Sequence, residues 1–77
     1  MITWAEKVAF VGMVVTKQYS PMFGYKVKVS IPNGLCSFGT GDTLDEAIES
    51  AAIGMNMDWH SITRKITERK WEQIAHL

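Results

Sequence analysis

The chain has a single cysteine, Cys36, and no net charge, with eight Lys and Arg balancing eight Asp and Glu over 77 residues. One cysteine closes no internal disulfide, so the fold must rest on its core or on an oligomer or partner, and a lone thiol suits a reducing compartment. Neutrality argues against the sequence-independent pull that a strongly basic domain exerts on nucleic acid or anionic lipid. The longest wholly apolar run, Val8 to Val15, is eight residues, against the roughly 20 of a membrane-spanning helix. Met1 to Lys7 lacks the basic start and apolar run of a secretory signal. The expected location is the cytoplasm, with no membrane contact. His60 and His76 belong to no His-x-x-x-His or Cys-x-x-Cys spacing. No metal, cofactor or catalytic residue is therefore expected, and the chain reads as a non-enzyme. Its length allows one compact domain, 1–77, which buries roughly 60% of the surface the unfolded chain exposes.

What is present is an ordinary globular composition and a pattern of strands followed by helix. Val8 to Thr16, rich in Val with a Phe and a Met, reads as a first strand at about 8–16 with both faces apolar. Such a strand is either covered on both sides or leaves a face for a partner or a second subunit, so a homodimer stays open. Gly12 marks a bulge or a close approach, and Ile2 to Lys7 is either a helical turn or the beginning of the strand. Tyr25 to Ile31 alternates, with Tyr25, Val27, Val29 and Ile31 inward and the lysines and serine outward, giving a second strand at 25–31. Asn33-Gly34 suits a type I′ turn, after which a third strand at 35–39 pairs Ile31 with Cys36 and Val29 with Phe38. Cys36 and Phe38 then fall on the apolar face. Pro32 strains this register, since it has no N–H to complete the turn's hydrogen-bonded pair.

Thr43-Leu44-Asp45-Glu46 matches a capping box, and apolar residues then recur three or four apart from Leu44 through Ile48, Ala51, Ala52, Met55, Trp59 and Ile62 to Ile66. An unbroken helix to Leu77 would be about 50 Å long, too long for so small a domain. Gly54, Asn56 and Asp58 are weak helix formers, which divides the stretch into a helix at about 43–57 and a second at about 61–76, with a break within 56–61 and Ser61 as a cap. A final strand over 61–67 is the competing reading, because Ile62, Thr63, Ile66 and Thr67 are β-branched. The fold class expected is α+β: a three-stranded antiparallel sheet with one face covered by a helix and a further C-terminal helix.

The zero net charge conceals a segregation. Residues 1–40 carry +3, residues 41–60 carry −5 and residues 61–77 carry +2. On a helix Asp45 and Glu49 are four apart, as are Asp42 and Glu46, forming an acidic ridge that is either a solvated face friendly to the helix dipole or a docking surface for a basic partner. The stretch Lys17 to Gly24 places Tyr19, Met22 and Phe23 in a connection, where they either close the open end of the core or serve as interface anchors. Gly39-Thr40-Gly41 reads as turn residues, since no Lys follows as a phosphate-binding loop requires. Trp71 lies off the apolar stripe.

Two families enter through particular residues. F-G-T-G-D-T-L-D-E-A-I-E-S-A-A, within residues 25–55, resembles the double-stranded-RNA-binding domain in its order of strands and helix. In that family the helix start carries lysines that grip phosphates, whereas this chain has Asp45, Glu46 and Glu49 there, so the resemblance implies the shape and not the RNA contact. Y-K-V-K-V, a glycine turn and a helix ending M-N-M-D-W-H-S, across residues 25–61, resemble small phage-encoded type I anti-CRISPR proteins. That resemblance implies a stoichiometric inhibitor docking on a host CRISPR effector complex, with the acidic ridge standing where the phosphates of target DNA would lie. The function expected is a small non-enzymatic protein-binding module, a phage or mobile-element inhibitor of a host defence complex. Its contacts would be Asp42, Asp45, Glu46, Glu49, Tyr19, Met22 and Phe23. The alternative is a nucleic-acid-binding accessory domain using Lys26, Lys28 and the C-terminal Arg64, Lys65, Arg69 and Lys70.

Overall fold

The computed structural model describes residues 2–32 and 34–75 and has the α+β class read from the sequence, with three helices rather than two. Helix α1 spans Trp4–Phe10, strands β1, β2 and β3 span Val14–Ser20, Gly24–Ser30 and Cys36–Gly41, and helices α2 and α3 span Leu44–Ile53 and Trp59–Ala75. The strands form one antiparallel sheet in the order β1-β2-β3.

Of the expected strand at 8–16 only Val14 to Thr16 is strand, and its first residues, Val8 to Phe10, are helical. Thr3 caps α1 by accepting a hydrogen bond from the Glu6 N–H at 3.1 Å, a local signal that overrides the β propensity of the valines. Gly12 then ends the helix with φ near 78°. Its N–H donates to the Ala9 carbonyl, and the Met13 N–H donates to the Val8 carbonyl. This is a Schellman motif, and its hydrophobic partners Val8 and Met13 are both buried. Gly12 is thus a helix stop and not a bulge. The two-faced apolar strand that would have left a face for a second subunit is replaced by a helix with one buried residue, Val8, and a strand displaced to Val14–Ser20.

The β2–β3 register differs by one residue from the expectation. Lys28 faces Phe38 and Ser30 faces Cys36, so both Phe38 and Cys36 are exposed on the outer face. Two constraints set this register. The Ile31 N–H donates to the Leu35 carbonyl and the Gly34 N–H to the Ile31 carbonyl, so Pro32 sits at the second turn position, where its fixed φ is useful and no N–H is required. The expected Asn33-Gly34 type I′ turn involves Asn33, which lies outside the described residues. The second constraint is steric: this register turns Ser37, Gly39 and Gly41 toward the helices. A Cβ on Gly39 would lie 2.3 Å from the Ala47 carbonyl oxygen and 2.4 Å from the Ala51 nitrogen. Only glycine lets the α2 backbone rest directly on β3.

α2 packs on β2 and β3 with Ala47, Ile48, Ala51 and Ala52 buried against Val27 and Val29. It ends at Ile53 with Gly54 as its C-cap, earlier than the expected residue 57, and Asn56 has a positive φ. The break covers residues 54–58. Asp58, rather than Ser61, caps α3: its carboxylate accepts from the Ser61 N–H at 3.2 Å. α3 is helical throughout 61–67, so the competing C-terminal strand does not form, and the expected end at His76 lies outside the described residues. Trp59 joins the three helices. Its buried indole N–H donates to the Ala52 carbonyl at 3.0 Å, and its ring meets that of Trp4 edge to face at 5.2 Å. No described helix is long and apolar enough to cross a membrane.

Replacing Gly39 by Ala should destabilise the fold by about 3 kcal/mol or more, because two backbone segments and not a flexible side chain must yield. Urea unfolding of the two proteins measures this. Cys36 should react with a maleimide in the folded protein about as fast as in urea; labelling only on unfolding would place the thiol back in the core.

Candidate functional site

The acidic ridge is placed on the first turns of α2, but two of its four carboxylates have backbone partners. The Asp45 carboxylate accepts hydrogen bonds from the N–H groups of Trp4 at 2.9 Å and Ala5 at 3.3 Å, satisfying free donors at the start of α1 from a different helix. Glu46 accepts from the Asp42 N–H at 3.2 Å, while its own N–H donates to the Thr43 hydroxyl at 3.1 Å. The charge that looks like a docking surface is in part a clasp between helices. The ridge presents Asp42, exposed, and Glu49, half-buried, as its remaining carboxylates.

Lys17 to Tyr19 belong to β1 and not to a connection, and the turn itself is Pro21 to Phe23. Met22 and Phe23 do not fold back on the core; both project, with Phe23 79% exposed. Tyr19 is also exposed, and its ring meets that of Tyr25 across the strand pair at 4.9 Å between centroids, the two planes tilted by 52°.

The outer face of the sheet is uncovered, and cross-strand pairing fixes its layout. One rung is Gln18, Lys26 and Thr40; the next is Thr16, Lys28 and Phe38; a third is Val14, Ser30 and Cys36. The Lys28 ammonium lies 6.0 Å from the Phe38 ring centroid. A shallow hollow of about 450 Å³ near the β1–β2 turn is lined in part by Gln18, Phe23, Lys26 and Thr40, and a smaller one of about 190 Å³ adjoins it around Thr16, Lys28 and Phe38.

α3 supplies a surface of the opposite character. Ile62 and Ile66 are its last buried residues after Trp59, and everything from Thr67 to Ala75 is exposed. Two contacts tie this half to α1: Lys70 to Glu6 at 2.8 Å and the Arg69 guanidinium 5.3 Å from the Phe10 ring. The first is an exposed pair, which is worth only about 0 to 1 kcal/mol. Beside them runs an open groove of about 480 Å³ lined by Ile2, Thr63, Thr67, Lys70, Trp71 and Ile74. The Thr63 and Thr67 hydroxyls donate to the carbonyls of Trp59 and Thr63 one turn back, at 2.7 and 2.9 Å. Their hydrogen-bonding capacity is spent within the helix and their methyl groups are left beside the groove. Trp71 is 67% exposed and Ile74 59%. Trp71 lies off the apolar stripe that runs from Leu44 to Ile66. The signal that assigns it is a neighbouring column, Thr63-Thr67-Trp71-Ile74, with steps of four, four and three.

No protein family, curated protein or solved structure matches the chain. The surfaces must therefore be judged by their own chemistry. Among the described residues no group of three His, Cys, Asp or Glu side chains is placed to hold a metal ion.

Asp45→Ala should cost about 1 kcal/mol through the loss of an N-terminal cap on α1. Scanning calorimetry should then show the melting temperature lower by about 4 to 8 °C for a domain of this size. Glu49→Ala should stay within about 0.5 kcal/mol of the wild type.

Proposed function

We propose that the chain is a non-enzymatic protein-binding module that docks through the free half of α3. The observation that carries this reading is the pair Trp71 and Ile74, largely exposed on a helix that continues about two and a half turns past its last buried residue. The core ends at Ile66, so those turns add no burial to the isolated domain. An exposed helix whose conformation is sustained by one surface ion pair and one cation–π contact gains most from being covered. Trp is among the residue types most enriched at interface hot spots, and Thr63 and Thr67, whose hydroxyls are bonded within the helix, add little polar demand to the groove beside it. The partner fitting this groove is a protein that inserts an apolar side chain between Trp71, Ile74 and Ile2. Lys70, part of the lining and paired with Glu6, gives the groove a charged edge.

The resemblance of residues 25–61 to small type I anti-CRISPR proteins extends the proposal to a stoichiometric inhibitor acting in the host cytoplasm on a defence complex. Asp42 and Glu49 remain to steer such an encounter, with the apolar groove supplying the affinity.

A pull-down from a bacterial lysate tests the reading, with partners identified by mass and captured by the wild type, by Trp71→Ala/Ile74→Ala and by Asp42→Lys/Glu49→Lys. Capture should be lost with the first variant, which changes exposed side chains and keeps its helical circular dichroism, and weakened only a few-fold by the second. Loss with the charge reversal and retention with the helix variant would move the docking surface to the acidic ridge.

A further inference from the structure

We propose that the uncovered face of the sheet binds single-stranded nucleic acid. The occupant follows from charge and from layout. Between Lys7 and Gly41 the sequence has four lysines and no carboxylate, and two of them, Lys26 and Lys28, stand on adjacent outer rungs of the central strand. Same-face residues on a strand are about 7 Å apart, so the two ammonium groups form a short row along the sheet. Three of the five carboxylates of the acidic block, Asp45, Glu46 and Glu49, belong to α2, which packs on the opposite face. Of the four lysines, Lys26 and Lys28 stand on the outer face, whereas Lys17 pairs with Val27 on the inner face and Lys7 belongs to α1.

Aromatic rings stand at both ends of the row. Phe38, 62% exposed, lies on the rung of Lys28, and Phe23 borders the hollow that holds Lys26. Gln18 and Thr40 flank Lys26 and offer neutral donors and acceptors. Lysines that track a backbone, combined with exposed rings on which bases stack, are the two elements of sequence-tolerant single-strand binding. A duplex hides its base faces in its own stack and offers these rings nothing to stack on. An apolar protein surface would bury both ammonium groups without a counter-charge.

Fluorescence anisotropy with a labelled pyrimidine single strand of about 16 nucleotides, the upper end of the site size for one small domain, tests the proposal. Binding should weaken with salt along a logarithmic slope of about −1.4, as expected for two phosphate contacts. Lys26→Gln/Lys28→Gln should reduce affinity and flatten that slope. Phe38→Ala should reduce affinity about tenfold, in the range for one lost base–aromatic stack, with the slope unchanged, while Phe38→Tyr retains binding. All three positions are exposed, and circular dichroism verifies that each variant is folded. Trp71→Ala/Ile74→Ala, on a different surface, should bind the strand as the wild type does. The proposal is overturned by an absence of binding, by undiminished affinity in the lysine variant, or by equal affinity for duplex, heparin or polyglutamate, which would reduce it to adsorption of any polyanion.

Discussion

The contact between β3 and α2, made by backbone on backbone, is the constraint on which the other packing choices rest. Gly39 and Gly41 present no side chain to the helix, and Ala47 and Ala51 present almost none to the strand. The two elements approach more closely than any pair of larger residues would allow. That approach selects the β2–β3 register, because a slip by one residue would put Phe38 where the helix backbone lies. It also fixes which residues of β2 face inward, leaving Val27 and Val29 fully buried and Lys26 and Lys28 in solvent. The result is a sheet whose central strand buries one row of side chains under α2 and leaves the other row in solvent.

A second junction joins the helices to one another. Asp45 reaches from α2 to cap the start of α1, Trp59 reaches from the start of α3 to the end of α2, and Trp4 and Trp59 meet between them. The chain has no disulfide, and the three largest of its fully buried side chains are valines, since many of its larger apolar residues are exposed. Hydrogen bonds that run between helices, and not only within them, supply orientation that non-directional apolar packing does not. Beyond this junction α3 runs into solvent, giving the molecule a long axis of 46 Å against a short one of 17 Å.

The parts of the fold legible in the sequence were those with a local chemical cause. Tyr25 to Ser30 alternates because its own neighbours are opposite in polarity, and Thr43 to Glu46 caps a helix with groups three residues apart. The errors arose where a local preference met a stronger neighbour. Val8, Phe10 and Val11 favour a strand by type, yet Thr3 and Gly12 bracket a helix around them. Cys36 and Phe38 look like core residues because they are apolar, and the demand for glycine beneath α2 turns them outward. The acidic ridge was visible as charge, whereas the occupation of Asp45 was not, since its partners Trp4 and Ala5 are about 40 residues away in the chain.

By itself, then, the sequence determined the class of the fold, the alternation of β2, the start of α2 and the division of charge into one acidic and two basic regions. These follow from residue type and short-range spacing. The tertiary structure decided which face of β3 is buried, which carboxylates are bound to backbone, and that Lys26, Lys28 and Phe38 share an open surface while Trp71 and Ile74 stand beyond the core. Each of those depends on a close approach between segments distant in sequence, and steric contact at that range leaves no periodic trace in the chain.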